Sequence, residues 1–333
     1  MKLPALPLPA VPLPGPLAKL VDAEKAALLR ARFLAWWEGE DFDPEAFARA
    51  QAEAAAAEAS PKPPSAKAPA DEKDLFDPPR PQEPPRFEAL GRIWGQGRVG
   101  PGIEEDERLH VARIGAPAGR AIAVIGPGSV TPVRSIARAH PGPITVYEWR
   151  EEAASVLQAH VKRMETADRI TVAPISLDSF APPSGAFDGV ISFDELSYVP
   201  SPEAYCRQLA RMLSPNGVAA LETYCSDGAQ DLRTAFLTSF SEPQLSSVEQ
   251  LIEVMFEAGL RVDSQDDTTE EHLRLVREAF RRLSSTLEGA QALPPLVARE
   301  VAWEAEAWRA RVTLLSKRQI VRRQFVLSRR PDA

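Results

Sequence analysis

Between residues 121 and 265, short apolar runs alternate with longer amphipathic stretches, and this alternation restricts the chain more than any other feature. AIAVIG (121–126), ITVYEW (144–149), RITVAPI (169–175), FDGVISF (187–193), GVAALETYC (217–225) and LRVDSQ (260–265) read as strands. Helical stretches at 130–139, 151–164, 202–213 and 246–259 separate most of them. Parallel neighbours need a crossover of about helical length, so the pattern predicts a doubly wound, mostly parallel sheet with helices on both faces.

The last third departs from this rhythm. Leu273, Val276, Phe280, Leu283 and Leu287 step by three and four, as do Val301, Ala305, Trp308, Val312 and Leu315. The spacing predicts two long amphipathic helices over 270–289 and 296–317, joined near Gly289 and Pro294–Pro295 as a hairpin. QIVRRQFVLSRR (319–330) alternates apolar and basic residues, the pattern of a seventh strand near the sheet edge. Nine basic and three acidic residues lie between Arg299 and Arg330, which reads as a solvated face and sheet edge rather than an anionic-polymer surface.

Proline sets the domain boundary. Sixteen of the 32 prolines lie in residues 1–90. Residues 1–16 read as an extended Pro-rich lead. Residues 17–58 read as a helical segment, with Leu29, Phe33, Trp36 and Trp37 on one face. Residues 59–86 form a Pro/Ala/charged linker that cannot bury a core, and residues 87–333 form the main domain, with 270–317 as its helical cap. The Trp36/Trp37 face either docks on the main domain or anchors a protein partner.

Several function classes are disfavoured. No apolar run is long enough to span a membrane. Prolines at 4, 7, 9, 12, 14 and 16 would break a signal-peptide helix. Cys206 and Cys225 read as two reduced thiols, and the expected location is cytoplasmic. Four scattered histidines have no metal-ligand spacing, so no metal is expected. A net charge of −8 argues against a nucleic-acid partner.

The chemistry points to the first strand. AIAVIG runs into Gly126-Pro127-Gly128, and a helix opens near Val130. Glycines allow close approach of a ligand, and a helix N-terminus offers free N–H groups. Glu148 ends the second strand some 20 residues on, where an acid accepts bonds from ribose hydroxyls. A nucleoside-containing cofactor is implied, against the alternative of a tight packing turn. Asp194, at a strand end, is a candidate base or amine-binding group, or else a helix N-cap. Tyr198 can exchange hydrogen bonds but is a poor base, with an ordinary pKa of about 10. Glu222 and Tyr224 end the fifth strand and face the same crevice or simply pack. His110 reads as a helix-surface residue.

These residues together resemble the class I S-adenosylmethionine-dependent methyltransferases over about 87–330. The likeness rests on the glycine turn, acidic Glu148, Phe187-Asp188 in the fourth strand, LSPNGVAALETY (213–224) and the closing strand, which the resemblance implies is antiparallel. Within that family the chain is most similar to the phosphoethanolamine N-methyltransferases. WGQGRVGPG (94–102) resembles their loop over the cofactor, which implies that Trp94, Gly95 and Gly97 cover S-adenosylmethionine. Asp178 stands two residues from the position of the family's adenine-contacting acid. Two departures stand out. Val124 and Val130 replace an acid and a glycine of the first-strand motif. SFDELSYV keeps Asp194 but has Phe193 for Arg and Tyr198 for His. The resulting expectation is a methyltransferase with a small-molecule or protein-borne acceptor, Asp194 and Tyr198 facing that acceptor. The alternative is a catalytically inactive, methyltransferase-like binding protein.

Overall fold

A computed structural model describes residues 48–49, 84–226, 245–289 and 293–330. The Pro-rich lead, the Trp36/Trp37 helix and the linker as far as residue 83 lie outside the described residues. The chain divides into two units, Met1–Asp74 and Leu75–Ala333, and the sheet belongs wholly to the second.

Two helices come first, α1 (Pro85–Trp94) and α2 (Glu104–Ile114). Alternation then begins with β1 (Ile122–Ile125), α3 (Val130–Ala139), β2 (Ile144–Glu148), α4 (Glu151–Val161), β3 (Ile170–Pro174) and β4 (Phe187–Phe193). It continues through α5 (Pro202–Met212), β5 (Leu213–Ser226), α6 (Val248–Glu257) and β6 (Leu260–Asp267). Two long helices, α7 (Thr269–Gly289) and α8 (Pro295–Ser316), precede β7 (Ile320–Arg329).

The seven strands form one sheet in the order β3-β2-β1-β4-β5-β7-β6. Strands β1 to β5 are parallel, and β7 is antiparallel to both β5 and β6. The period-2 alternation of side chains divides the central strand between two cores. Ala123 and Ile125 pack on one face with Phe187, Leu209 and Phe325. Ile122 and Val124 pack on the other with Val133, Ile136 and Leu157. Each such aliphatic side chain contributes about 1.5–3 kcal/mol by leaving water. Val124 is thus fully buried in the second of these cores.

One expectation is corrected. Strand β7 is near the edge but does not form it: it lies between β5 and the outer strand β6. Its basic residues suggested solvent, but Arg322 is buried because two carboxylates meet it. Polar alternation marks exposure only when the charge finds no partner inside.

The cap of α7 and α8 packs against α1 and the sheet end. Trp94 stands edge-on to Phe280 of α7 and Trp308 of α8, with ring centroids 5.4 Å and 4.9 Å away. No helix among the described residues is long and apolar enough to cross a membrane.

Candidate active site

In a doubly wound sheet the strand order reverses beside the first strand, and a crevice opens beyond the carboxyl ends there. The chain has a cavity of about 670 Å³ at that place. Gly126, Gly128 and Arg150 line one side; Asp194, Glu222 and Arg322 line another; His272 and Trp308 close it from the cap.

The glycine turn is held by Glu148. Its carboxylate is 0% exposed. One oxygen accepts from the Gly128 N–H (2.8 Å) and Arg150 Nη2 (3.0 Å). The other accepts from the Arg150 N–H (3.0 Å) and Arg150 Nε (2.7 Å). Arg150 Nη2 also donates to the Gly126 carbonyl at 2.8 Å. A buried carboxylate has about four acceptor positions, and all four are used. Glu148 thus orders the turn.

Both glycines adopt positive φ, +61° at Gly126 and +66° at Gly128. Their open faces are covered by this chain's own side chains. A Cβ on Gly126 would fall 1.3 Å from Glu195 Oε1. One on Gly128 would fall 2.5 Å from Val99 Cγ2 and 3.0 Å from the Arg150 guanidinium. Glu195 is 1% exposed and Ser192 Oγ donates to its Oε2 at 2.9 Å. Its Oε1 has no hydrogen-bond partner. Burial pushes this carboxyl well above the ordinary carboxylate range, against the opposing pull of Arg150.

The loop over the turn is strapped down. The Thr131 N–H donates to the Gly97 carbonyl (2.9 Å) and Thr131 Oγ1 to the Gln96 carbonyl (3.0 Å). Arg98 and Glu107 form a buried bidentate pair at 2.7 Å and 2.9 Å. Arg98, Val99 and Gly102 face the cavity, whereas Gly95 and Gly97 set the course of the loop behind them. Trp94 belongs to the core beneath the cap and does not line the cavity. Asp178 is exposed in the short turn Leu177–Ser179, away from the cavity lining.

A charged cluster fills the opposite wall. Asp194 has φ +63°, a left-handed conformation rarely adopted outside glycine and asparagine or aspartate. It heads the turn Glu195–Ser197 without a side-chain cap bond. Both its oxygens accept from Arg322 Nη1, at 3.0 Å and 2.9 Å, and Arg322 Nη2 donates to Glu222 at 2.5 Å. Burial would raise the Glu222 carboxyl, but Arg322 and then His110 outweigh it and hold it well below the usual range. Tyr198 lies on the cavity wall with its ring 5.1 Å from that of Trp149.

Two histidines join this wall that periodicity did not assign to it. His110, expected on the helix surface, is buried; Gln324 Nε2 donates to its Nδ1 at 2.9 Å, and its Nε2 lies 3.4 Å from Glu222. His272 Nε2 is 2.7 Å from the Tyr224 hydroxyl. Burial, with Arg322 and Arg311 nearby, pushes the His272 pKa well below its ordinary value, which favours the neutral ring. Tyr224 and His272 are 48 residues apart. No local motif links them; only the docking of α7 beyond β6 does.

Residues 111–265 match a family described as a methyltransferase domain. S-adenosylmethionine is the methyl donor of that family. The chain has the class I methyltransferase fold. A Haemonchus contortus phosphoethanolamine N-methyltransferase 2, solved with phosphomonomethylethanolamine and S-adenosylhomocysteine, superimposes with a TM-score of 0.62 at 19% identity over 73% of this chain. The chain spans 57% of that protein's length. The [4+2]-cyclase SpnF gives 0.60 at 16% identity, covering 73% of this chain and 92% of its own. The cyclopropane synthase MmaA2 of Mycobacterium tuberculosis gives 0.54 at 16%, covering 68% and 83%. No curated protein matches the chain in sequence. At these identities the likeness concerns the fold.

The site of this methyltransferase fold suits the donor in part as it stands. The unpartnered Glu195 Oε1 is an acceptor for a cationic group, and the turn sits at the N-terminus of α3. Glu148 itself does not line the cavity, and a ribose contact there requires Arg150, whose side chain is 36% exposed, to turn outward to water. With that movement the donor set fits a nucleoside bearing an amino-acid tail.

Proposed function

We propose that the protein is an S-adenosylmethionine-dependent methyltransferase acting on a small-molecule acceptor. The observation that carries this reading is the cavity that joins the glycine turn to the Asp194–Arg322–Glu222 wall under the helical cap. A cavity of about 670 Å³ lies within the usual range for small-ligand sites. The donor, when bound, supplies an electrophilic methyl group on a sulfonium. Gly126, Gly128 and Glu148 hold its nucleoside end, and the strapped loop 95–102 excludes water above them.

On the acceptor side, Asp194 is tied to Arg322 and serves as a fixed negative charge rather than a free base. Tyr198 orients the acceptor. Tyr224, fixed by its 2.7 Å hydrogen bond to His272, presents a polar group on the same wall and helps to position the acceptor. In-line placement of acceptor and methyl group supplies the remaining rate enhancement.

A second reading, a methyltransferase fold that binds without catalysis, draws support from the way Glu195, Val99 and Arg150 already cover the two glycines. Titration calorimetry with S-adenosylmethionine and S-adenosylhomocysteine separates the two. Binding followed by methyl transfer supports the enzyme. No binding at millimolar ligand supports the second reading and removes the first. In the enzyme, Glu148→Gln should weaken S-adenosylhomocysteine at least tenfold; unchanged affinity would remove the ribose contact.

A further inference from the structure

Glu195 stands at the mouth of β4, directly against the face of Gly126. In the strand order, β1 lies between β2, which ends in Glu148, and β4, which leads to Glu195. A ligand whose ribose sits at Glu148 therefore extends across the end of β1 toward Glu195. The far end of S-adenosylmethionine or S-adenosylhomocysteine is an amino acid with an ammonium group. Glu195 lines the cavity and offers a buried carboxyl whose unpartnered oxygen lies against Gly126.

We propose that Glu195 takes the ammonium group of the cofactor's amino-acid end and releases its own proton as it does so. This rests on the methyltransferase reading above. The balance is simple: the Glu195 O–H bond breaks, the proton passes to the buffer, and the ammonium N–H donates to the resulting carboxylate. Among the described residues, the groups facing Glu195 are Arg150 and Glu148 from the β2 side, Ser192 on β4, Asp194 in its own turn and Tyr205 on α5. Arg150 is already committed to Glu148 and the Gly126 carbonyl, and burial outweighs its pull on Glu195. Ser192 donates to Oε2 and also meets the Tyr205 hydroxyl at 2.9 Å, which fixes the carboxyl in place without filling Oε1. Burial with Oε1 unpartnered favours the protonated carboxyl in the free protein, and a cation at Oε1 opposes that preference.

The test is calorimetry of the full chain at pH 7 in phosphate and in Tris, whose ionisation enthalpies differ. Two probes are used: S-adenosylhomocysteine, which carries the ammonium, and 5′-methylthioadenosine, which lacks the whole amino-acid end. S-adenosylhomocysteine should release up to one proton per site, and its affinity should rise with pH, approaching tenfold per unit where release is complete. 5′-Methylthioadenosine should release none. Glu195→Gln, close in shape to the neutral acid, should abolish the release and weaken S-adenosylhomocysteine at least tenfold while leaving 5′-methylthioadenosine unchanged. Equal proton release by the two probes in the unaltered protein overturns the assignment without any variant. So does undiminished release in Glu195→Gln. Failure of S-adenosylhomocysteine to bind at all overturns the methyltransferase reading, and this inference with it.

Discussion

Removing Arg322 tests the charge cluster directly. The side chain is 8% exposed and meets Asp194 and Glu222, whose side chains are 30% and 14% exposed. Breaking a buried ion pair by deleting one partner costs about 3–5 kcal/mol, because the other charge stays behind unpaired. The Asp194 half is partly screened by water and is discounted. Arg322→Met keeps most of the volume, so the expected loss is about 3 kcal/mol, or a fall in Tm of roughly 6–12 °C for a domain of this size. Circular dichroism with heat and with urea measures it. Adding Glu222→Gln should recover part of the loss, since an amide is cheaper to bury than a charge.

The pH dependence has a definite sign. In the unaltered protein the folded pKa of Glu222 is depressed, so its contribution is present above the ordinary carboxylate range and is lost as pH falls below it. Without Arg322, burial dominates and the folded pKa rises, so acidification toward pH 5 relieves the variant. The difference between the two proteins should shrink as pH falls from 7 to 5. A loss below about 1 kcal/mol, or a double variant no more stable than the single one, would refute the argument that an uncompensated buried charge dominates.

Gly126→Ala places a methyl group against Glu195 at a positive φ, and should cost about 1–3 kcal/mol in urea unfolding. Glu195→Ala should rescue part of that loss; additive effects would show that strain, not the contact, is responsible. His272→Gln should lower kcat by up to about 10²-fold by loosening Tyr224 on the cavity wall, read in steady-state kinetics. Because burial depresses the folded pKa of His272, its contribution to stability is present above its ordinary pKa and lost as pH falls below it, a loss that the variant should not show. Burial pushes both Cys206 and Cys225 thiols up to about 12, so neither should react with a thiol reagent at pH 8 until the protein is unfolded.

The elements of this protein are local matters and were legible residue by residue. Period-2 and period-3.6 patterns placed β1 to β6, the connecting helices and the long α7 and α8 close to where they form, because burial on a face leaves its period in the chain. The glycine turn and Glu148 were legible for the same reason: they sit on consecutive βα units, so their spacing survives in sequence. What surrounds them was not. That Glu148 spends its carboxylate on Gly128 and Arg150, that Glu195 covers Gly126, and that β7 lies inside the sheet follow from strand order. The pairings Tyr224–His272 and Asp194–Arg322–Glu222 join residues 48, 128 and 100 positions apart. Whether a polar side chain faces water or a partner is decided by desolvation and charge compensation between distant segments. Sequence by itself determined the strands, the helices and the location of the crevice. Tertiary structure alone decided which charges meet there, and so which groups stay free to bind.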